Sequence, residues 1–572
     1  MQSFSIPPTF ENNMPQSSSK SHADLEQSKK RAKDNDVLPI RRALVSVYDK
    51  TGLEQLAVML KTAGIVAVST GGTARALEGH GVAVEDVSSI TGFPEILDGR
   101  VKTLHPNIFA GILARGNRED DLETLAEHGI SRFELIVVNL YPFASVINRD
   151  GCTSNDAIEL IDIGGPSLVR AAAKNHAFSA VVTNPDQYET VADAISRGGT
   201  TLAERRLFAA QAFEHTAEYD AVIARWMARH AGVVAGGAKP LANEHRPEVP
   251  PLPSRLALSL EQRLSLRYGE NPHQSAAMYA PADTHFGLAG LKQLSGKELS
   301  YNNLLDLDAA VRIAGLIQNS GAAVIKHTNP CGAASAVTVS EALEAAMAAD
   351  PISAFGSIVA VNGIFDIAAA ECLLKPGMFV EVIAAPAFTA EAVEALQTRP
   401  AWKASVRLVE VPPGDPWGPT AGLELRSVAG AMLAQQPDET PDDPATWQVV
   451  TKQAPTKNLT HPLDFAFTMV RRLTSNAIAI CQGTSLVGAG VGQTSRVDAV
   501  RIALEKAGDR ARGSVLASDA FFPFPDSIEL IQQAGVAAII QPGGSKRDAE
   551  VIAAANAANI PMVFTSRRHF RH

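Results

Sequence analysis

Cysteine is scarce in this chain of 572 residues: there are four, Cys152, Cys331, Cys372 and Cys481, far apart and with no Cys-x-x-Cys pair. That spacing offers no disulfide framework and no zinc knuckle, and it suits a reducing cytoplasm. Basic charge is also short, with 51 Lys and Arg against 61 Asp and Glu and a formal net charge of −10. Proteins that coat nucleic acid usually carry a basic excess; the balance therefore argues against that partner, while leaving room for a local basic pocket around a phosphorylated substrate. No uncharged apolar run reaches the roughly 18 residues that a membrane span needs, and Val536 to Ile540 has the length of a buried strand instead. Met1 to Asp36 lacks the apolar core of a secretory signal. No Walker loop is present, which argues against ATP. Gly488 to Arg496 misses the third glycine of the dinucleotide fingerprint and has no acidic residue placed for a ribose, which argues against NAD.

What is there is ordinary for a soluble enzyme: 46% hydrophobic and 20% charged residues, on a chain long enough for about four domains. Residues 1–40 are polar, carry too little apolar surface to offset ordering entropy, and are expected to form a disordered tail. From Arg42 the pattern alternates. Ala43 to Val47 predicts a strand, Gly52 to Ala63 a helix with Leu53, Leu56, Ala57 and Leu60 on one face, and Ile65 to Val68 a strand. Leu135 to Leu140 and Ala180 to Val182 predict further buried strands. Strands alternating with helices favour a parallel sheet covered on both faces. This first domain is taken as 41–235, a Gly/Ala/Pro-rich linker as 236–255, and a second α/β region as 256–572, in two subdomains joined near 440–470.

Polar clusters fall where such folds hold ligands. Ser69-Thr70-Gly71-Gly72-Thr73 links a strand to a helix, and free N–H groups at that junction make an anion site; a plain strand-to-helix turn would look the same. Arg100 to Pro106 carries two cations and an imidazole, which by themselves would fit a solvated loop. Asn139-Leu140-Tyr141-Pro142 ends a buried strand, and the carboxyl ends of parallel strands are binding edges. Asp162-Ile163-Gly164-Gly165-Pro166 opens a helix that reaches Lys174. In the second region, Leu266 to Gln274 packs Arg, Tyr, Asn and His into one turn. Ala323 to Gly332 delivers Lys326 and His327 from a strand into an Asn-Pro-Cys-Gly turn. Neighbours on a strand point to opposite faces, so both can meet one ligand only where the chain bends. His327 and Cys331 have no further partners that would complete a zinc site.

In sequence these segments resemble the bifunctional purine-biosynthesis family, AICAR transformylase/IMP cyclohydrolase of the bacterial type. The matching stretches are Ser46 to Gly52, Ser69 to Thr73, Gly99 to Pro106, Ile161 to Gly165, Arg267 to His273, Lys326 to Gly332, Ser475 to Ile478 and Ser518 to Phe524. The resemblance runs from Arg42 to His572. It implies a methylglyoxal-synthase-like N-terminal domain and two cytidine-deaminase-like α/β subdomains, whose transformylase sites are shared across a homodimer. The implied chemistry is formyl transfer from 10-formyltetrahydrofolate, as co-substrate, to AICAR, then dehydrative closure of formylated AICAR to IMP.

By the same resemblance, Lys326, His327 and Asn476 serve formyl transfer. Lys102, Tyr141, Asp162 and Lys174 serve ring closure, with acid and base unassigned. Ser46, Lys50, Ser69, Thr70, Gly71, Thr73, Arg100, Thr103, Gly164 and Gly165 would hold the phosphate and ribose in the first domain. Arg267, Tyr268, His273, Phe521 and Arg568 would hold nucleotide in the second. Phe524 and Asp526 lie in the folate stretch, and Asp519 matches a position associated with structural potassium. One departure is Ser357, which follows Phe355-Gly356 where animal members carry an acidic residue. Two rival readings are an enzyme keeping one activity and a ligand-sensing regulator built on the N-terminal module; a sensor has no use for the Lys326-His327 pair.

Overall fold

The computed structural model describes residues 37–97, 100–147, 149, 151–230, 252, 256, 258–281, 284–413, 423–438 and 441–572. The chain divides into two compact units at Ser259/Leu260. The expected tail up to residue 36 and almost all of the expected linker lie outside the described residues.

In the first unit, β1 (Arg42–Ser46), β2 (Val66–Ser69), β3 (Val84–Asp86), β4 (Leu135–Val138) and β5 (Ala180–Val182) form one sheet in the order β3-β2-β1-β4-β5. Every pairing is parallel, with Ala43 beside both Ala67 and Leu135. Parallel strands need crossovers, and helices supply them, so both faces are covered and β4 is buried at every residue. The core gathers Leu44, Leu56, Leu60, Leu77, Ile108, Ile136, Leu168, Val181 and Phe208. Folded structure begins earlier than the sequence suggests. Leu38 pairs with Thr200 through both backbone groups, and Ile40 packs on the core, so residues 38–40 belong to the domain rather than to a tail. A 29-residue helix, Leu202–His230, packs along the helix Gly164–Lys174 and β5.

The second unit carries a 12-stranded mixed sheet. One half holds β8 (Lys292–Ser295), β9 (Ser320–Lys326), β10 (Asn329–Ala336), β11 (Ser357–Val361), β12 (Val380–Ala385) and β13 (Arg407–Glu410). The other half holds β16 (Gln448–Val449), β17 (Ile478–Gln482), β18 (Ser485–Gly490), β19 (Val515–Ser518), β20 (Ala538–Gln541) and β21 (Met562–Phe564). Two hairpins, β6 (Glu261–Leu266) with β7 (Ala276–Ala280) and β14 (Glu424–Val428) with β15 (Ala431–Gln435), stand apart from it. The sheet order is β16-β21-β20-β19-β17-β18-β10-β9-β11-β12-β13-β8. From the centre outward each half runs antiparallel, antiparallel, parallel, parallel, antiparallel, so the second half repeats the first strand for strand. The halves meet where β10 pairs antiparallel with β18 at Ala334 and Ser485.

The helices repeat too. Tyr301–Leu316 corresponds to Thr460–Val470 and Val339–Met347 to Arg496–Ala507. The first pair lies in one core that runs across both halves, with Leu307 and Ile313 joined to Phe465, Phe467 and Met469. The opposite face has a separate core for each half. The hairpin turn between β9 and β10, which carries Lys326 and His327, therefore sits on strands adjoining the seam.

Candidate functional site

At the carboxyl edge of the parallel sheet the loops after β1, β2 and β4 surround a cleft of about 1010 Å³. Of the residues expected there, Ser46, Lys50, Thr70, Thr73, Arg100, Lys102, Thr103, Tyr141, Asp162, Gly164 and Gly165 line it. Two helix N-termini open on it: that of Gly71–Gly79 has no side-chain cap, and that of Gly164–Lys174 is held by the Asp162 carboxylate. The uncapped N–H groups of Gly71–Gly79 and the positive end of its dipole favour a further anion there.

Three cations face the same space. Lys50 donates to Thr73 Oγ1 at 3.0 Å and to the Val47 carbonyl, and burial lowers its pKa. Lys102 pairs with Glu95 at 2.9 Å, and its Nζ lies 3.6 Å from where a Cβ on Gly71 would be, which brings it to the glycine loop. Arg100 pairs with Glu159. Asn139 fixes the rim by accepting from Asp49 N at 3.0 Å and donating to Asp49 O at 3.0 Å, while Tyr48 and Tyr141 meet edge to face at 5.3 Å.

Asp162 is the half-buried carboxylate of this cleft. Burial raises its pKa, against the opposing effect of backbone N–H groups from Gly165, Gly164 and Tyr141. Gly165 N donates to Oδ1 at 2.8 Å. Gly165 has to be glycine here: a Cβ would stand 2.7 Å from Leu140 Cδ2 and nearer still to the Asp162 carboxylate. The main-chain N–H of Asp162 donates to Tyr219 Oη at 2.9 Å, a partner that sequence reasoning missed, because one Tyr at helical spacing reads as core.

Three expected residues, Ser69, Gly71 and Lys174, are not among those that line the cleft. Ser69 is 1% exposed and donates to Val45 O, so it braces β2 against β1. Lys174 is exposed at the last turn of the 11-residue helix that Gly164 begins. At 1.5 Å per residue it stands about 15 Å along the axis from Gly164, and the structure does not bring it to Asp162.

In the second unit His327 and Thr328 both have left-handed backbone, φ 52° and 62°, which is how the hairpin turns Lys326 and His327 out of the strand. Lys326 Nζ donates to the carbonyls of Phe355 at 3.1 Å and Gly356 at 3.0 Å, so its ammonium sits on the turn before Ser357. His327 is exposed. Asp306 accepts from Thr328 N at 2.6 Å. Asn302, on the same helix face, donates to Glu270 O at 3.4 Å, tying the Arg267 to Gln274 segment to the helix that braces the His327 turn. Arg267 lies over the Tyr268 ring at 4.8 Å and bonds its hydroxyl at 3.0 Å, and His273 is exposed nearby.

Asn476 comes from the other repeat. Its Nδ2 donates to Gln493 O at 2.8 Å, and its Oδ1 accepts from Arg496. Arg496 also pairs with Asp519, both side chains being almost wholly buried. Ser475 donates to the other Asp519 oxygen, and Ala477 N donates to Oδ1 at 3.1 Å. Asp519 is thus balanced by a guanidinium and takes two neutral donors, Ser475 and Ala477 N–H. Among the described residues no group of three or more His, Cys, Asp or Glu side chains gathers to hold a metal. Phe521, Phe524, Asp526 and Arg568 are exposed, with Arg547 over the Phe524 ring at 4.9 Å and Arg568 over Phe570 at 4.7 Å.

The model of the AICARFT/IMPCHase bienzyme matches residues 172–506, and that of the MGS-like domain matches 52–167. The chain belongs to the AICARFT/IMPCHase bienzyme family. Similar relatives include the bifunctional purine biosynthesis protein PurH of Rhodopirellula baltica, 52% identical over 94% of this chain and 100% of that protein. PurH of Cutibacterium acnes is 47% identical over 93% of this chain and 99% of its own length. PurH of Desulfitobacterium hafniense is 47% identical over 93% and 100%. The five-stranded parallel sheet is the MGS-like part of the bienzyme, and the mixed α/β sheet follows it. No helix among the described residues is long and apolar enough to cross a membrane.

Proposed function

We propose that this chain performs two successive steps of purine biosynthesis, formyl transfer to AICAR in the second unit and closure of formylated AICAR to IMP in the first. Membership of the bienzyme family supports the pair of activities. The observation that carries the residue assignment is the cleft at the sheet edge, where the uncapped start of Gly71–Gly79 and Lys50, Arg100 and Lys102 surround one half-buried carboxylate, Asp162. The cations and N–H groups hold the 5′-phosphate and ribose. The carboxamide nitrogen then attacks the formyl carbon and gives up one proton; the formyl oxygen takes that proton and the one on the formamide nitrogen and leaves as water, as a C=N bond forms to the formamide nitrogen. Asp162, Lys102 and Tyr141 surround that centre, and much of the rate comes from holding nitrogen and carbon in reach.

For formyl transfer, 10-formyltetrahydrofolate is the co-substrate. The AICAR amine is a weak nucleophile because its lone pair is delocalised into a carboxamide-bearing ring. His327 takes its proton as the nitrogen bonds the formyl carbon, and Lys326 stabilises the formyl oxygen or protonates the departing folate nitrogen. Asn476 orients AICAR beside them; Arg267, Tyr268, His273, Phe521 and Arg568 hold the nucleotide; Phe524 and Asp526 face the folate. The enzyme works in the cytoplasm as a homodimer that completes each transformylase site.

The experiment supplies AICAR and 10-formyltetrahydrofolate to the full chain and identifies the product. IMP is expected. Formylated AICAR that accumulates without closing would overturn the first-unit assignment. Release of neither product from folded dimer would return the chain to a ligand sensor.

A further inference from the structure

Tyr219 lies on the helix Leu202–His230, past residue 167 where the match to the MGS-like model ends. Its phenol oxygen accepts the Asp162 N–H at 2.9 Å, and its hydrogen goes to Leu160 O at 3.1 Å. One hydroxyl thus clamps both ends of the connector between the helices Ser154–Glu159 and Gly164–Lys174. The ring is seated in a small apolar cluster with Phe143 and Trp226, at 6.5 Å and 71° from Phe143. Burial raises the phenol to about 12, so it stays protonated and keeps donating. Among the described residues the Asp162 carboxylate meanwhile accepts only from backbone N–H groups, of its own turn and of Tyr141. Its height in the cleft therefore depends on where its main chain is pinned, and the one side chain pinning that N–H is Tyr219.

We infer that Tyr219 is a positioning residue for ring closure, a strut from outside the MGS-like core that sets Asp162 against the substrate. This rests on the assignment of Asp162 to that reaction. Tyr219→Phe keeps the ring packing and removes both hydrogen bonds. In the full chain it is expected to lower kcat for closure of formylated AICAR by about 10-fold or more, as small misplacements of reacting groups do, with KM within about 2-fold and formyl transfer unchanged. Two further variants separate the explanations. Phe143→Leu loosens the ring packing without touching the phenol's bonds and should leave kcat unmoved. In an Asp162→Asn background Tyr219→Phe should cost nothing further, because residues acting as a unit are not additive.

An unchanged kcat in Tyr219→Phe would overturn the inference, as would an equal loss in the Asp162→Asn background or equal losses in both activities. Full ring closure by Asp162→Asn alone would overturn the Asp162 reading itself, an outcome visible without any change at Tyr219.

Discussion

Asn329 Oδ1 accepts the Thr474 N–H at 3.1 Å, joining residues 145 apart in the chain. The same side chain donates to His327 O at 3.2 Å. One amide thus locks the Lys326-His327 turn of the first repeat to the segment that leads into Asn476 of the second. Asn329→Ala should remove both bonds and cost about 1–3 kcal/mol. Denaturant titration of the full chain should show that loss, with formyl transfer reduced and ring closure retained.

Lys326→Ala and His327→Ala test the chemistry rather than the scaffold. Both side chains sit on a hairpin of the second unit, and Lys326 donates to the carbonyls of the Phe355-Gly356 turn. Each variant should lose formyl transfer by about 100-fold or more, while closure of supplied formylated AICAR proceeds at the parent rate. Loss of both activities from a folded variant would refute the division of labour between units.

The first unit was legible because its physics is local. Leu135 to Val138 reads as a continuous apolar run, as a strand buried on both faces must, and the polar residues after such runs fall at the sheet's carboxyl edge. The duplication in the second unit was not legible. β9 to β10 turns through His327-Thr328 and its counterpart β17 to β18 through Gly483-Thr484, so the repeat lives in strand order and not in residue pattern. Long-range pairings were hidden for the same reason. Nothing near Arg496 in sequence announces Asp519, and nothing near Asp162 announces Tyr219. Lys174 lies about 15 Å from the glycines that start its helix, because three turns of helix carry it along the axis.

Gly165→Ala is expected to be disproportionately harmful for one methyl group. Its Cβ would press on Leu140 Cδ2 and on the Asp162 carboxylate, which the Gly165 N–H holds in place. Overpacking of this kind costs about 1–3 kcal/mol. Ring closure should fall far more than stability does, with formyl transfer as the internal control. A variant that closes the ring normally would show that Asp162 tolerates displacement.

Asp162→Asn separates function from stability through pH. Burial raises the carboxyl's pKa in the folded chain, so the folded state holds its proton more tightly than the unfolded one. The contribution to stability is then fully present below the unfolded carboxyl pKa and is lost as pH rises through the folded value. At neutral pH the ionised Asp162 therefore works against the fold. Asparagine keeps the shape without the charge, so the variant should melt above the parent at about pH 7.5, with the difference shrinking towards about pH 4. Ring closure should meanwhile fall by about 100-fold or more. Melting scans at the two pH values, beside the closure assay, check both halves. A variant that melts below the parent at neutral pH would show that the carboxylate's bonds to Gly165 and Gly164 outweigh its burial, reversing the sign argued here.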